Sequence, residues 1–486
     1  MPRSIIPTSI AAVALAGFWS VPAALAATLT VPGDASNLQT AIILAADGDE
    51  IELADGTWTL SVTVTNKELT IRSASGDASS CFVNTNLGTA FSVVGPDANV
   101  LVEDITFNSE GRNIYGIDGA RLRMNRCIIE NAEEAGGIVF GGERIRLDEC
   151  IVRNNINLLS PGGGIHIFDG SARITRTAIA NNEVRWANGF GGGIAVMRGD
   201  VIMSDCFVTG NVADGEDLGL GGGVYIDIAV ESALIASTVM GQNTASTEGG
   251  GMYSGGGQLQ MTNIVARGNQ APFGGGISID APDSNDRLVT IAGAVIDLNE
   301  ATDGAGGGVL VGQPARVRMV NVTTVFNTSA SGGAGMHADF ASEVSIANSI
   351  IGASDGPDLG GPGTYDVQFS SVQDGADGRG NITDLPLFVD AAALNYRLSD
   401  VSPCIDAGNS AVGLAPPTDI VGEIRAIDDP MTDDTGLASI GRVIDMGAFE
   451  FQPPVAGPTC VADIVENGAV DFNDLLTLLA AWGSCP

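Results

Sequence analysis

The chain has 486 residues, 66 of them glycine, and is 44% hydrophobic against 16% charged. That composition excludes a disordered chain and supplies an extensive core. Its 58 acidic residues outnumber 22 basic ones for a net charge of −36, a surface that repels phosphate backbones and anionic lipid heads, so nucleic acid is not an expected partner.

In chain order, Arg3, an apolar run and the small-x-small sequence Ala24-Leu25-Ala26 have the three parts of a secretory signal peptide over residues 1–26. A strand-like TLTV follows at Thr28 with no charged stop-transfer flank. No later segment approaches the roughly 18 apolar residues of a membrane span. The mature chain is therefore expected outside the cell, secreted or at the surface, with no transmembrane span. The stretch from Ala35 to Trp58, ASNLQTAIILAADGDEIELADGTW, reads as a short capping helix and a first coil.

Over residues 27–384 the dominant feature is a repeat. Glycine triplets begin at Gly162, Gly191, Gly221, Gly249, Gly274 and Gly306, spaced 25 to 32 residues apart. Asparagines at 155, 182, 211, 243, 269, 299 and 327 recur with the same period. Two marks with one period indicate a solenoid. After most triplets an apolar-x-apolar pattern follows, as in Ile194 and Val196 or Val224 and Ile226. That is strand period, rich in β-branched residues, and no cycle holds a helical pattern. The expected fold is all-β: coils of two or three short strands stacked ~4.8 Å apart as a parallel β-helix. Glycine gives room for close backbone approach, and asparagine tolerates left-handed turns. Asparagines stacked in one column can also hydrogen-bond along the axis.

Positions four and six residues after each triplet start are expected to be outward and exposed. Tyr225 and Tyr253 fall in the first column on adjacent coils, a stacking surface suited to sugars. Asp227 and Asp280 fall in the second, two coils and so roughly 9–10 Å apart, near the upper limit for an inverting carboxylate pair. The four residues form a candidate carbohydrate subsite, with Asp227 and Asp280 as the weak catalytic candidates. Solvated carboxylates and half-buried tyrosines on a sheet face are the plainer account, and no catalytic set is assigned. Cys127, Cys150 and Cys206 share one repeat slot, with Thr177 filling it between the last two. A buried stack of small side chains explains that slot better than a metal site.

The repeat resembles the right-handed parallel β-helix superfamily that includes pectin lyases, and its CFVTGN…GGGVYI rhythm resembles chlamydial polymorphic membrane proteins. Residues 385–452, with LPLFVDAAALNYRLSDVSPCIDAG, then Asp419, Gly422 and Arg425, then IDMGAFEF, are similar to the closing segment of choice-of-anchor Q proteins. In that family the segment ends the helix just before a sorting device. Here a linker, residues 453–459, follows, and residues 460–486 resemble a single dockerin-type repeat of exported planctomycete proteins. The resemblance implies a Ca2+ loop using Asp463, Asn467, Asp471 and Asp474, with Gly468 at the turn; Val465 stands where a ligand is expected and weakens it. Cys460 and Cys485 bracket the tail and are the preferred disulfide of an exported chain. The function expected is a surface-associated module that binds or scaffolds carbohydrate or a cell-surface component and is anchored by sorting machinery through its tail. A polysaccharide lyase or glycoside hydrolase, and an adhesin or structural spacer, are the alternatives.

Overall fold

The computed structural model describes residues 26–280, 288–439 and 441–453. All but the last residue of the signal segment, most of the linker and the whole tail lie outside them. The Ca2+ loop at Asp463, Asn467, Asp471 and Asp474 and the Cys460–Cys485 pairing therefore fall outside the described residues. Among those described, no helix is long and apolar enough to cross a membrane.

The chain winds as an all-β parallel solenoid. Three parallel sheets of 14, 13 and 12 strands run its length, here called sheets I, II and III. One coil shows the pattern. Ile194–Val196 lies in sheet III, Gly199–Ser204 in sheet I and Phe207–Thr209 in sheet II. The two-residue strand Val212–Ala213 then adds to a fourth, short sheet of seven strands. Each strand pairs with its equivalent one coil away, as Ile194 does with Val224 and Val196 with Ile226. Alternation sends Ile194 and Val196 inward, where burial of each such side chain stabilises by about 1.5–3 kcal/mol. One continuous core results, from Val31 to Val372.

Left-handed residues recur at fixed places where the coil turns. Asp205 (φ 57°) stands before the buried Cys206, and Gly210 (φ 64°) before the buried Asn211. The conformational role expected of the marker asparagines thus belongs to their predecessors, such as Asn154 and Asn181 (φ 55° and 54°). The markers themselves form a ladder. Asn155 donates through Nδ2 to Oδ1 of Asn182 at 2.9 Å, and the series continues through Asn211, Asn243, Asn269 and Asn299 to Asn327 at 2.9–3.0 Å. Each Oδ1 from Asn182 onward also accepts the backbone N–H of the asparagine before it, as Asn211 does from Asn182. Ala132 fills the preceding slot, and Asn113 supplies the missing amide from sheet III, donating to Asn155 at 3.2 Å.

Cys127, Cys150 and Cys206 are buried free thiols in the slot that Thr177 shares, and Cys81 and Cys404 are also buried and free. The helix read near the N-terminus spans Leu38–Leu44, opens on Asn37, whose side chain accepts from Thr40 N, and buries Leu38, Ala41 and Ile42. Lys67, the sole lysine, donates to the carbonyls of Ile42 and Ala45 at its C-terminal end, where a cation is favoured by the helix dipole.

Past the last strand of sheet II the chain folds back along the flank of that sheet. Tyr396, Leu398, Cys404, Ile405, Met446 and Ala448 pack on Val295, Val325 and Ile350. The cause is local composition. Sheet II presents outward apolar side chains in these coils, and Asp297, fully buried there, is held by Arg267 Nε at 2.8 Å and the Tyr396 hydroxyl at 2.7 Å.

Candidate functional site

The outer face of sheet III holds the residues singled out from sequence. Ala195, Tyr225, Tyr253 and Ser278 are in register on four successive coils. Tyr225 stacks on Tyr253 with ring centroids 5.6 Å apart and planes 5° from parallel. Its hydroxyl donates to Asp227 Oδ2 at 3.0 Å, and that of Tyr253 to Asp280 Oδ2 at 3.4 Å. The four residues are brought together, but the first column is not exposed as expected. Tyr225 is only 6% exposed because Phe190 stacks on it at 4.6 Å, with Leu218 and Leu220 beside it. Asn188–Phe190 and Leu218–Leu220 pair as a small sheet just before their triplets and fold over the column. Both faces of the Tyr225 ring are therefore occupied by protein. A sugar has access to the rim, where the two carboxylates lie, and not to a stacking platform on Tyr225.

Sequence reasoning missed Glu248, which is half-buried beside this column and accepts a hydrogen bond from the Ser278 hydroxyl. Burial, then the negative charges of Asp280 and Asp339, push its carboxyl above the usual range. Burial also raises both tyrosine phenols, with Asp227 and Asp280 adding to it. A carboxyl biased towards its protonated form near other carboxylates is an acid–base arrangement. His337 lies at the far end, 3.3 Å from Asp339. His166 shares the column, but burial pushes its imidazole down to about 4 and Arg112 opposes its charge, so it stays neutral.

A second surface, also missed, lies on the outer face of sheet I. Arg123, Arg146 and Arg173 are in register on three successive coils, as are Arg121 and Arg144 beside them. All five are exposed. Arg121 is tied to Glu143 at 2.6 Å, and Arg176, at the turn, to Asp148 and Glu149. Arg123, Arg146 and Arg173 make no ion pair among the described residues. Leu101 and Ile202 continue their column at either end. Two shallow grooves of about 340 and 410 Å³ run between these side chains. Like charges one strand spacing apart oppose each other by on the order of 1 kcal/mol per pair in water. The signal was present in the chain: RLR, RIR and SAR recur at one slot, and residues 112–198 hold eleven arginines against nine acidic residues in a protein of net charge −36.

A family comparison supports this architecture over part of the chain. Residues 61–229 match the family model of the right handed beta helix region. Over that stretch the fold is the right-handed parallel β-helix. Solved structures similar to the chain include the A-module of the mannuronan C-5 epimerase AlgE4 of Azotobacter vinelandii, with 11% identity, a TM-score of 0.41, and coverage of 66% of this chain and 89% of that one. The pectate lyase Pel9A has 13% identity and a TM-score of 0.37 over 88% of this chain and 96% of its own. The PL6 family alginate lyase AlyGC has 15% identity and a TM-score of 0.45 over 81% and 60%. No curated protein matches by sequence.

Proposed function

We propose that this β-helix is a polysaccharide-binding module that lays an acidic glycan along the solenoid axis on sheet I. One observation carries the reading: Arg123, Arg146 and Arg173 stand in register and, among the described residues, no carboxylate pairs with them. A guanidinium fork matches a carboxylate in geometry and charge, and β-helix coils repeat them every ~4.8 Å, a spacing close to one sugar unit. Leu101 and Ile202 offer the apolar faces of sugar rings something to rest on. The rest of the surface is acidic and repels the same ligand, which confines it to this strip.

The test is binding of the mature chain to polygalacturonate and alginate, with neutral dextran and duplex DNA alongside. Replacing the three arginines by glutamine should weaken uronate binding on the order of 100-fold, and raised salt should mimic the loss. Unchanged affinity in the triple variant, or equal binding of DNA, refutes the reading.

A second reading, an acid–base enzyme on sheet III, is favoured by Glu248. Turnover of any of these glycans that disappears in the Glu248→Gln and Asp280→Ala variants supports it, and no turnover by the parent removes it. Export through residues 1–26 and retention at the surface through residues 460–486 complete the proposal and rest on sequence. Truncation after Pro453 should release the folded protein into the medium; a truncated form that stays on cells refutes the retention.

A further inference from the structure

The segment folded against sheet II is dense in carboxylates, and almost all of those that are buried have their donors. Asp419 accepts from the N–H groups of Val421, Glu423 and Glu450. Asp429 accepts from Met431 N and the Thr432 hydroxyl. Asp445 takes Asp406 N and Phe451 N, and Glu450 takes three backbone N–H groups with Arg425 3.6 Å away. Asp406 is different. It is fully buried, Oδ2 accepts from Asp429 N at 3.0 Å, and Oδ1 has no donor. Among the described residues it is the one carboxylate oxygen both buried and unpartnered. Leaving such an atom unsatisfied is costly, more so when it carries charge.

That carboxylate belongs to a cluster. Ligand oxygens of Asp406, Asp428 and Asp434 lie within 4.8 Å of one another, Asp428 and Asp434 being exposed. No arginine or lysine bonds to any of the three among the described residues. Burial, followed by repulsion from Asp434, Asp428 and Asp429, pushes the Asp406 carboxyl up to about 6. An all-oxygen, multiply anionic donor set is what a hard cation takes, and the absence of nitrogen or sulfur ligands disfavours zinc or copper.

We propose that Asp406, Asp428 and Asp434 hold a divalent cation of the calcium class. Asp406 forms the buried floor, and the two exposed carboxylates close over the ion with water in the remaining positions. The ion ties the loop bearing Asp428 and Asp434 to the Cys404–Asp406 stretch packed on sheet II. It is separate from the calcium loop read in the tail.

The experiment titrates the chelated, full-length mature chain with CaCl2 by calorimetry and follows its melting temperature. Asp428→Asn/Asp434→Asn changes only exposed side chains, so the fold is kept. It should lose one equivalent of calcium, or weaken that equivalent by roughly tenfold or more, together with most of the calcium-dependent rise in Tm. Asp471→Asn/Asp474→Asn, which disables the tail loop, should keep both. The proposal is overturned if Asp428→Asn/Asp434→Asn binds calcium with the parent's stoichiometry and affinity. It is equally overturned if all binding disappears in Asp471→Asn/Asp474→Asn.

Discussion

Replacing Asn211 by alanine should destabilise the solenoid by about 3–5 kcal/mol, far more than a typical polar-to-alanine change. Asn211 Oδ1 accepts two bonds from the coil before, from Asn182 N at 3.0 Å and Asn182 Nδ2 at 3.0 Å. Its own Nδ2 donates to Ile179 O at 2.9 Å and to Asn243 Oδ1 at 3.0 Å. Alanine leaves the Asn182 backbone N–H and one of its two Nδ2 hydrogens buried with no acceptor, the other still bonded to Val152 O at 2.9 Å, each orphan costing about 1–3 kcal/mol. Aspartate should be worse at neutral pH, because it sets a buried charge against two acceptors it can no longer bond. Asn113 is the internal control. It begins the ladder, its Oδ1 accepts nothing, and it donates to Asn155 Oδ1 and Glu130 O. Asn113→Ala orphans no donor and should cost only about 1–2 kcal/mol. Denaturant unfolding of the three variants checks the order; an Asn211→Ala loss no larger than that of Asn113→Ala would mean the ladder does not hold the coils together.

The same ladder shows what a sequence of this kind reveals. Asn155 to Asn327 were readable as a column because each coil repeats the constraint, so one residue's environment appears seven times. The strands were readable for a related reason: inward apolar side chains such as Ile194 and Val196 recur in period two. What period two cannot say is whether an outward side chain stays exposed. Tyr225 points away from the core, as its position requires, yet Phe190, Leu218 and Leu220 cover it, and those lie in the variable stretch before each triplet where no period constrains the path. The arginine strip was missed for the opposite reason. Arg123, Arg146 and Arg173 obey the repeat, but only their shared lack of a partner sets them apart, and pairing is a property of three dimensions. Beyond the last coil periodicity ends. Asp406 meets Asp428 and Asp434 across more than twenty residues of irregular chain, and nothing local in SPCIDAG points to that encounter.

The glycine triplets carry the other large effect. Gly192→Ala should prevent folding of the coils around it, or cost well beyond the ~1 kcal/mol of an ordinary glycine-to-alanine change. A Cβ on Gly192 would overlap the carbonyl oxygen of Gly222 on the next coil and the carbonyl carbon of Val212. Both are backbone atoms in a stack that repeats at one strand spacing, so neither can swing aside as a side-chain end would. Moving them apart breaks the bonds that Gly192 N and Gly193 N make to Gly221 O and Gly222 O at 3.2 and 3.1 Å. The first glycine of the triplet is fixed differently: Gly191 has φ 66°, and alanine there is strained even where space exists. Gly241 separates sterics from composition. It sits on a strand of sheet II without a positive φ, and its nearest neighbours would lie 3.6 and 3.8 Å from a new Cβ. Gly241→Ala should therefore be neutral or stabilising by about 0.5 kcal/mol, through a less flexible unfolded chain. Yields of soluble mature protein and far-ultraviolet dichroism would compare the two; a well-folded Gly192→Ala protein with unchanged stability would show that the coils are not packed backbone to backbone at the triplets.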